Sequence, residues 1–452
     1  MNGYQLIVAL AASCGGLLYG YEIGVMNVVL VMDAFRMFFE ETGKKPFMEG
    51  FITSSFLFGA VFGAVLSSYL SNKTSSQKIL MFSGLIFTFG SLIQGSTVFT
   101  FIMLSFGRFI SGIAIGCVSV LCPTYIAEVA SASIRNAVIT CYQLMIAVGI
   151  LMASVINGLI WYGTNEWRLA LWLQIIPGLL FTLFMYFLPC SPRYLCSQNK
   201  DKEAINVLAK LNGTHVTDLL VQEEYKATII SVTNMEALGD STYKELFNRR
   251  NRRRTFITFF MQFFQQCTGI NAVLYYQTQL FHGVGFSKVM SAIILPALNN
   301  IVYFISSFLG MINVQRIGRK HLLVIGGTLL LLLNIAITKG NFRRFLFAGS
   351  VFLFTLVYGC TWGPVPKVYQ AEVFPLRMRV KGTTFSTVSH FISSWLVVFI
   401  TPILIDTWGM HAFILFSVCC YIALMFAVFC CIEPRGLSME EIDEEMVLIT
   451  KS

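Results

Sequence analysis

The sequence predicts an all-α polytopic membrane protein of twelve transmembrane helices in two six-helix halves, with a helical loop between them. Three observations predict it. The chain is 56% hydrophobic and only 12% charged over 452 residues, against roughly 25% charged in soluble domains. Its mean hydropathy is +0.70, and apolar runs of about 20 residues recur throughout, each long enough to cross roughly 30 Å of hydrocarbon. The longest polar stretch then falls near the middle of the chain.

In order, the spans are expected near 4–30, 47–70, 78–97, 99–124, 133–160, 168–189, 255–281, 289–313, 321–338, 345–371, 382–404 and 409–431. The opening stretch, MNGYQLIVALAASCGGLLYG, lacks a basic leader and stays apolar past any plausible cleavage point, so it reads as the first span. Residues 191–254 form the polar loop, in which DKEAINVLAKL has the period of a surface helix. Arg249, Arg250, Arg252, Arg253 and Arg254 close that loop, which places it and both termini on the cytoplasmic side. Lys339, Arg343 and Arg344 between spans nine and ten run against that rule. The domains follow: 1–190 and 255–432 as the two halves, 191–254 as linker, 433–452 as cytoplasmic tail. The segment LSMEEIDEEM in the tail is acidic and amphipathic, suited to the basic loop.

The net charge of +9 is spread over loops of one face, which points to a lipid bilayer and not to nucleic acid. The twelve cysteines sit in apolar stretches with no C-x-x-C spacing, as small helix residues do. Sequons at Asn72 and Asn212 fall on the expected inside. No nucleophile–base pair, metal cluster or phosphate loop stands out, so no enzyme and no cofactor is expected.

The chain repeats itself across its midpoint. AEV at 127–129 precedes Arg135 by the same interval as AEV at 371–373 precedes Arg379, each copy ending a span. Such symmetry favours two halves with a site between them near the bilayer midplane. The stretch from Gly107 to Gln143 is apolar for a membrane's depth yet opens on Arg108, which in lipid needs a partner or a water-filled cavity. Small residues at 107, 111, 112, 116 and 119 would let another helix come close.

This stretch resembles the fourth and fifth helices of the sugar porters, a branch of the major facilitator superfamily. GGLLYGYEIGV (15–25), WRLALWLQIIPG (167–178), PCSPRYL (189–195), QQCTGINAVLYY (265–276), RIGRK (316–320), WGPVPKVYQAEVFPLRMRVKG (362–382) and EPRGLSMEEI (433–442) resemble further motifs of that family in the same order. The resemblance implies transport of a monosaccharide, a hexose such as glucose or a related polyol, by alternating access. It implies sugar contacts at Gln143, Gln265, Gln266, Asn271 and Tyr275, and amides suit a ring of hydroxyls that both donate and accept. It implies a proton-coupling pair at Glu22 and Arg108, where the family's symporters usually carry Asp and its uniporters often an amide. A span-depth count puts both groups in the outer half of the membrane, at compatible levels. It also implies a cytoplasmic gate of Glu128, Arg135, Arg193, Arg319, Glu372 and Arg379 that latches the halves in the outward-open state.

The sequence departs from the family in places. YLSNKTSSQK (69–78) lacks the usual acid and glycine–arginine run, Gln315 and Cys190 replace acids, and Tyr303 stands at the asparagine position of span eight. Lys367 and His390 stand in the pocket where a tryptophan and an amide are usual. The expected function is proton-coupled sugar symport in the plasma membrane. A facilitative uniporter with a purely structural Glu22–Arg108 pair, and a sugar sensor of transporter form, remain the alternatives.

Overall fold

A computed structural model describes residues 3–39, 45–71, 73–98, 100–130, 135–161, 166–237, 242–249, 251–338, 344–375, 377–435 and 441, without the side chains of 135–139, 166 and 235–237. The fold is all-helical. Among the described residues ten segments are long and apolar enough to cross a membrane. One of them, from Arg379 to Phe429, is two spans joined by a single helical turn, Gly409–Ala412. The one span outside these is the polar span seven, Arg252–Cys267 followed by Ile270–Gly283. Its arginines and amides hold its hydropathy down.

The spans are therefore one Gly3–Val29, two Lys45–Leu70, three Ser76–Gly95, four Phe101–Val129 and five Arg135–Ile160. Span six is Glu166–Trp172 with Ile175–Phe187, and span seven is the broken pair above. Span eight is Leu295–Arg316 behind a π-helical turn, nine Arg319–Thr338, and ten Arg344–Cys360 with Val365–Val373. Span eleven is Arg379–Trp408 and span twelve Phe413–Phe429. Expected boundaries agree to within a few residues, and span four runs furthest beyond its forecast. The loop between spans six and seven folds as Pro192–Ser197, Asp201–Asn212 and Leu219–Ala237, ending in a 3₁₀ turn at Tyr243–Phe247. An even number of spans puts Gly3 and Arg435 at the end of the bundle that carries this loop.

Lipid supplies no hydrophobic force between helices, so close backbone packing must hold them. Gly112 and Gly116 of span four show how. A Cβ on Gly112 would lie 2.0 Å from Phe56 O, and one on Gly116 would lie 2.1 Å from Ala60 O. Spans one and five meet the same way, with Gly20 against Ile146 O.

Two breaks position polar groups. Span seven turns at Gly269, whose φ of +94° is left-handed and whose missing Cβ leaves room for Phe416. Span ten breaks at Gly363–Pro364, where proline has no N–H to continue the ladder. The freed carbonyls of Trp362 and Gly363 accept from Gln265 Nε2 at 2.8 and 2.9 Å. Irregular backbone at this depth survives because an amide replaces the lost helical donors.

Candidate substrate cavity and buried ion pair

A cavity of about 470 Å³ runs from the middle of the bundle to the loop end. That volume lies within the usual range for small-molecule sites. Its mouth carries Glu128, Arg193, Glu372 and Arg379, with helix Leu219–Ala237 of the loop beside them. Its inner wall carries Tyr19, Tyr142, Gln143, Gln262, Lys367 and His390.

The opposite end is closed by bonds between the halves. Asn27 Oδ1 of span one accepts from the Thr278 backbone N–H at 3.1 Å. Gln279 Nε2 donates to Glu49 Oε2 at 3.0 Å, and Asn300 Nδ2 to Ser154 Oγ at 2.5 Å. Lys288 pairs with Asp33 outside them. The arrangement faces the loop end.

Cross-half bonds also furnish the inner wall. Gln143 Nε2 donates to Tyr303 Oη at 3.0 Å, and its Oε1 accepts from Lys367 Nζ at 3.2 Å. The Lys367 ammonium stands 5.1 Å from the Tyr142 ring centre, a cation–π distance. His390 of span eleven meets the span-seven amides through Nδ1, 2.9 Å from Gln266 Nε2 and 3.1 Å from Gln262 Oε1. Its other nitrogen lies 3.4 Å from Tyr19 Oη. Amide and hydroxyl groups thus surround the space, each able to turn toward a polyhydroxylated guest.

The expected sugar contacts separate into two tiers. Gln143, Lys367 and His390 line the cavity. Gln265, Gln266, Asn271 and Tyr275 are buried outside that lining. Gln265 is committed to the span-ten carbonyls. Gln266 reaches the cavity through His390 and accepts from Asn271 Nδ2 at 2.8 Å. Tyr275 packs 6.1 Å from Phe56. Gln262 and Tyr19 escaped the sequence reading. Gln262 lies one turn before Gln266 on the same face, which is the signal that would have found it.

The Glu22–Arg108 pair forms as its depths implied, with Arg108 Nη1 3.1 Å from Glu22 Oε1 and both side chains wholly buried. Gln94 Nε2 at 3.5 Å and Ser111 Oγ at 3.3 Å also reach Glu22 Oε1. Arg108 Nη2 donates to Thr53 O at 3.4 Å, and its guanidinium lies 5.1 Å from the Phe56 ring. Glu22 Oε2 and Arg108 Nε find no hydrogen-bond partner among the described residues. Both partners belong to the first six spans, and neither lines the cavity.

At the loop end, Arg319 grips Glu372 bidentately, Nε to Oε2 at 3.0 Å and Nη2 to Oε1 at 2.5 Å. Glu433 accepts from the backbone N–H groups of Arg319 and Lys320 at 2.9 and 3.0 Å, so the tail motif caps span nine. Cys190 Sγ donates to Gln77 Oε1 at 3.2 Å. Arg319 and Glu372 lie in the second six-helix half, and Glu433 follows it directly in the chain. Glu128 and Arg193 of the first half share the mouth with Glu372 and Arg379. The Arg135 side chain, and the acidic tail segment apart from Glu441, lie outside the described residues.

Comparison with known proteins comes to the same architecture. The family model described as "Sugar (and other) transporter" matches residues 8–446. The arabinose-proton symporter of Bacillus subtilis is 28% identical, covering 98% of this chain and 95% of that protein. The high-affinity glucose transporter ght5 of Schizosaccharomyces pombe is 29% identical, covering 97% and 84%. Among solved structures, the proton:xylose symporter XylE bound to 6-bromo-6-deoxy-D-glucose superposes with a TM-score of 0.84. It is 24% identical and covers 98% of this chain and 99% of that one.

Proposed function

We infer the activity from one premise: the chain belongs to the sugar (and other) transporter family, and so is a major facilitator transporter of sugars and not an enzyme. The substrate we propose is a monosaccharide of hexose size or a related polyol. It would bind between the halves at Gln143, Gln262, Lys367 and His390, with Gln265, Gln266, Asn271 and Tyr275 holding that wall from behind. The division into halves at 1–190 and 255–432, the 191–254 linker and the 433–452 tail belong to this reading. So do a plasma-membrane location and cytoplasmic termini, which the arginine run before span seven supports.

Movement would alternate the open end. The far-end bonds of Asn27, Glu49 and Ser154 would break as the cavity turned outward. Glu128, Arg135, Arg193, Arg319, Glu372 and Arg379 would then draw the loop end together, giving the two-state element that alternating access requires.

Coupling to protons is the finer proposal, and one observation carries it. Glu22 Oε2 is a buried carboxylate oxygen with no hydrogen-bond partner among the described residues, beside an arginine with an equally orphaned Nε. A proton on Oε2 would weaken the pair and release Arg108 toward Tyr275 and Tyr276 of span seven, linking protonation to the other half. The same geometry supports a second reading, facilitative uniport. The pair lies wholly inside the first half and away from the cavity, as a pair that only fixes helix register would.

Labelled glucose uptake into proteoliposomes separates the two. Symport predicts accumulation driven by an inward proton gradient, lost in Glu22→Gln while gradient-free exchange persists. Equilibrating uptake, indifferent to the gradient in both proteins, would establish the uniporter.

A further inference from the structure

The inner cavity carries a charge that a neutral hexose does not ask for. Beyond the mouth, where Glu128 and Glu372 stand with Arg193 and Arg379, the lining holds one cation and no carboxylate among the described residues. That cation is Lys367. Among the described residues, its Nζ meets one hydrogen-bonding group, the Gln143 amide oxygen at 3.2 Å, and one aromatic face, Tyr142. No described carboxylate pairs with it, whereas Arg108 and Arg319 each have a glutamate.

A lone ammonium at membrane depth is costly and marks function by default. Lining an open cavity leaves it accessible to solvent, an access that closure around a substrate would remove. A neutral guest would then leave the ammonium with an amide oxygen and a ring. A guest bearing a carboxylate would supply the missing counter-charge through a charge-assisted hydrogen bond. The surroundings keep the lysine on station for this. Gln143 is held by Tyr303 on its donor side, so its acceptor oxygen points at Nζ. His390 is engaged by Gln262, Gln266 and Tyr19, which leaves Lys367 as the group positioned to take an anion.

We propose that the site prefers a monocarboxylated sugar, a hexuronate or aldonate, over the neutral hexose, with Lys367 as the specificity-determining residue that binds its carboxylate. The inference rests on the sugar-binding reading above and names the substrate class of that same site. A single cation matches a monoanion, and the ring of amides and tyrosine hydroxyls matches the sugar's remaining hydroxyls.

Equilibrium binding to the purified full-length protein tests it, with D-glucuronate, D-glucose and acetate as probes. Wild type should bind glucuronate at least about ten-fold more tightly than glucose, and acetate far more weakly than either. Lys367→Met should erase the preference for glucuronate over glucose, and Lys367→Arg should keep part of it. The thermal midpoint of the purified variant serves as its folding control, and Lys367→Gln replaces a Met variant that fails to purify. A wild-type protein that binds glucose as well as or better than glucuronate overturns the inference and leaves sugar binding intact. A preference that survives Lys367→Met overturns the role of Lys367. Binding of neither sugar overturns this inference and the sugar-binding reading together.

Discussion

Two ionisable sites lie deep in this protein, and they differ in what surrounds them. Glu22 and Arg108 are wholly buried, paired at 3.1 Å, and confined to the first six-helix half. Lys367 faces a cavity between the halves and has an amide oxygen as its hydrogen-bond partner. The first site holds its counter-charge within the protein and reaches the second half only by rearranging. The second has no counter-charge among the described residues and is open to whatever enters. Position relative to the cavity, more than charge itself, separates a group suited to coupling from a group suited to recognition.

The largest effect expected from breaking this contrast is on stability. Arg108→Gln strands the Glu22 carboxylate in a dry site and should cost about 3–5 kcal/mol, seen as a lowered thermal midpoint of the purified protein. Adding Glu22→Gln should recover most of that loss, a non-additivity expected of partners in contact. Next comes binding. Gln143→Ala removes the group that joins Lys367 to Tyr303 and should weaken sugar affinity roughly ten-fold, about 1.4 kcal/mol, with the thermal midpoint unchanged. Wild-type affinity would take Gln143 out of the site. Lys367→Met should move stability by less than about 1 kcal/mol in either direction, because the ammonium gives up one amide contact and no ion pair.

The smallest effect sharpens the comparison from outside the membrane. Glu245 of the loop is held below the usual carboxylate range, first by the Thr242 backbone N–H at 2.9 Å and then by the Thr242 hydroxyl and Arg377. A depressed folded pKa stabilises above the unfolded value of roughly 4.3 and is lost as pH falls through the folded value. Glu245→Gln should therefore change the thermal midpoint slightly at pH 7 and by less at pH 3. An equal change at both would assign the effect to packing.

Much of the fold was legible because hydropathy reports membrane depth directly. Span seven is instructive, since residues 255–281 read as a span in the sequence although their composition is polar. Arg252, Arg253, Arg254 and the amides Gln262, Gln265, Gln266 and Asn271 make it the polar span, and polarity is what a site-forming helix needs. The Glu22–Arg108 pair was legible too, because a rise of about 1.5 Å per residue converts positions into depths. Gln265 was harder. Its neighbourhood depends on where span ten breaks, and the carbonyls of Trp362 and Gly363 that claim its amide are some hundred positions away in the chain. The open end was not legible at all, because both orientations of a rocking bundle share one sequence. That orientation decides which sugar contacts line the cavity.

The division of labour between the buried pair and the cavity lysine is tested most directly by proton movement itself. Proteoliposomes loaded with a pH-sensitive dye would be given sugar without an imposed gradient, using wild type, Glu22→Gln and Lys367→Met. Wild type and Lys367→Met should acidify the lumen as sugar enters, and Glu22→Gln should admit sugar with no change in pH. Acidification that persists in Glu22→Gln and disappears in Lys367→Met would contradict the account, moving the coupling charge from the sealed pair to the cavity wall.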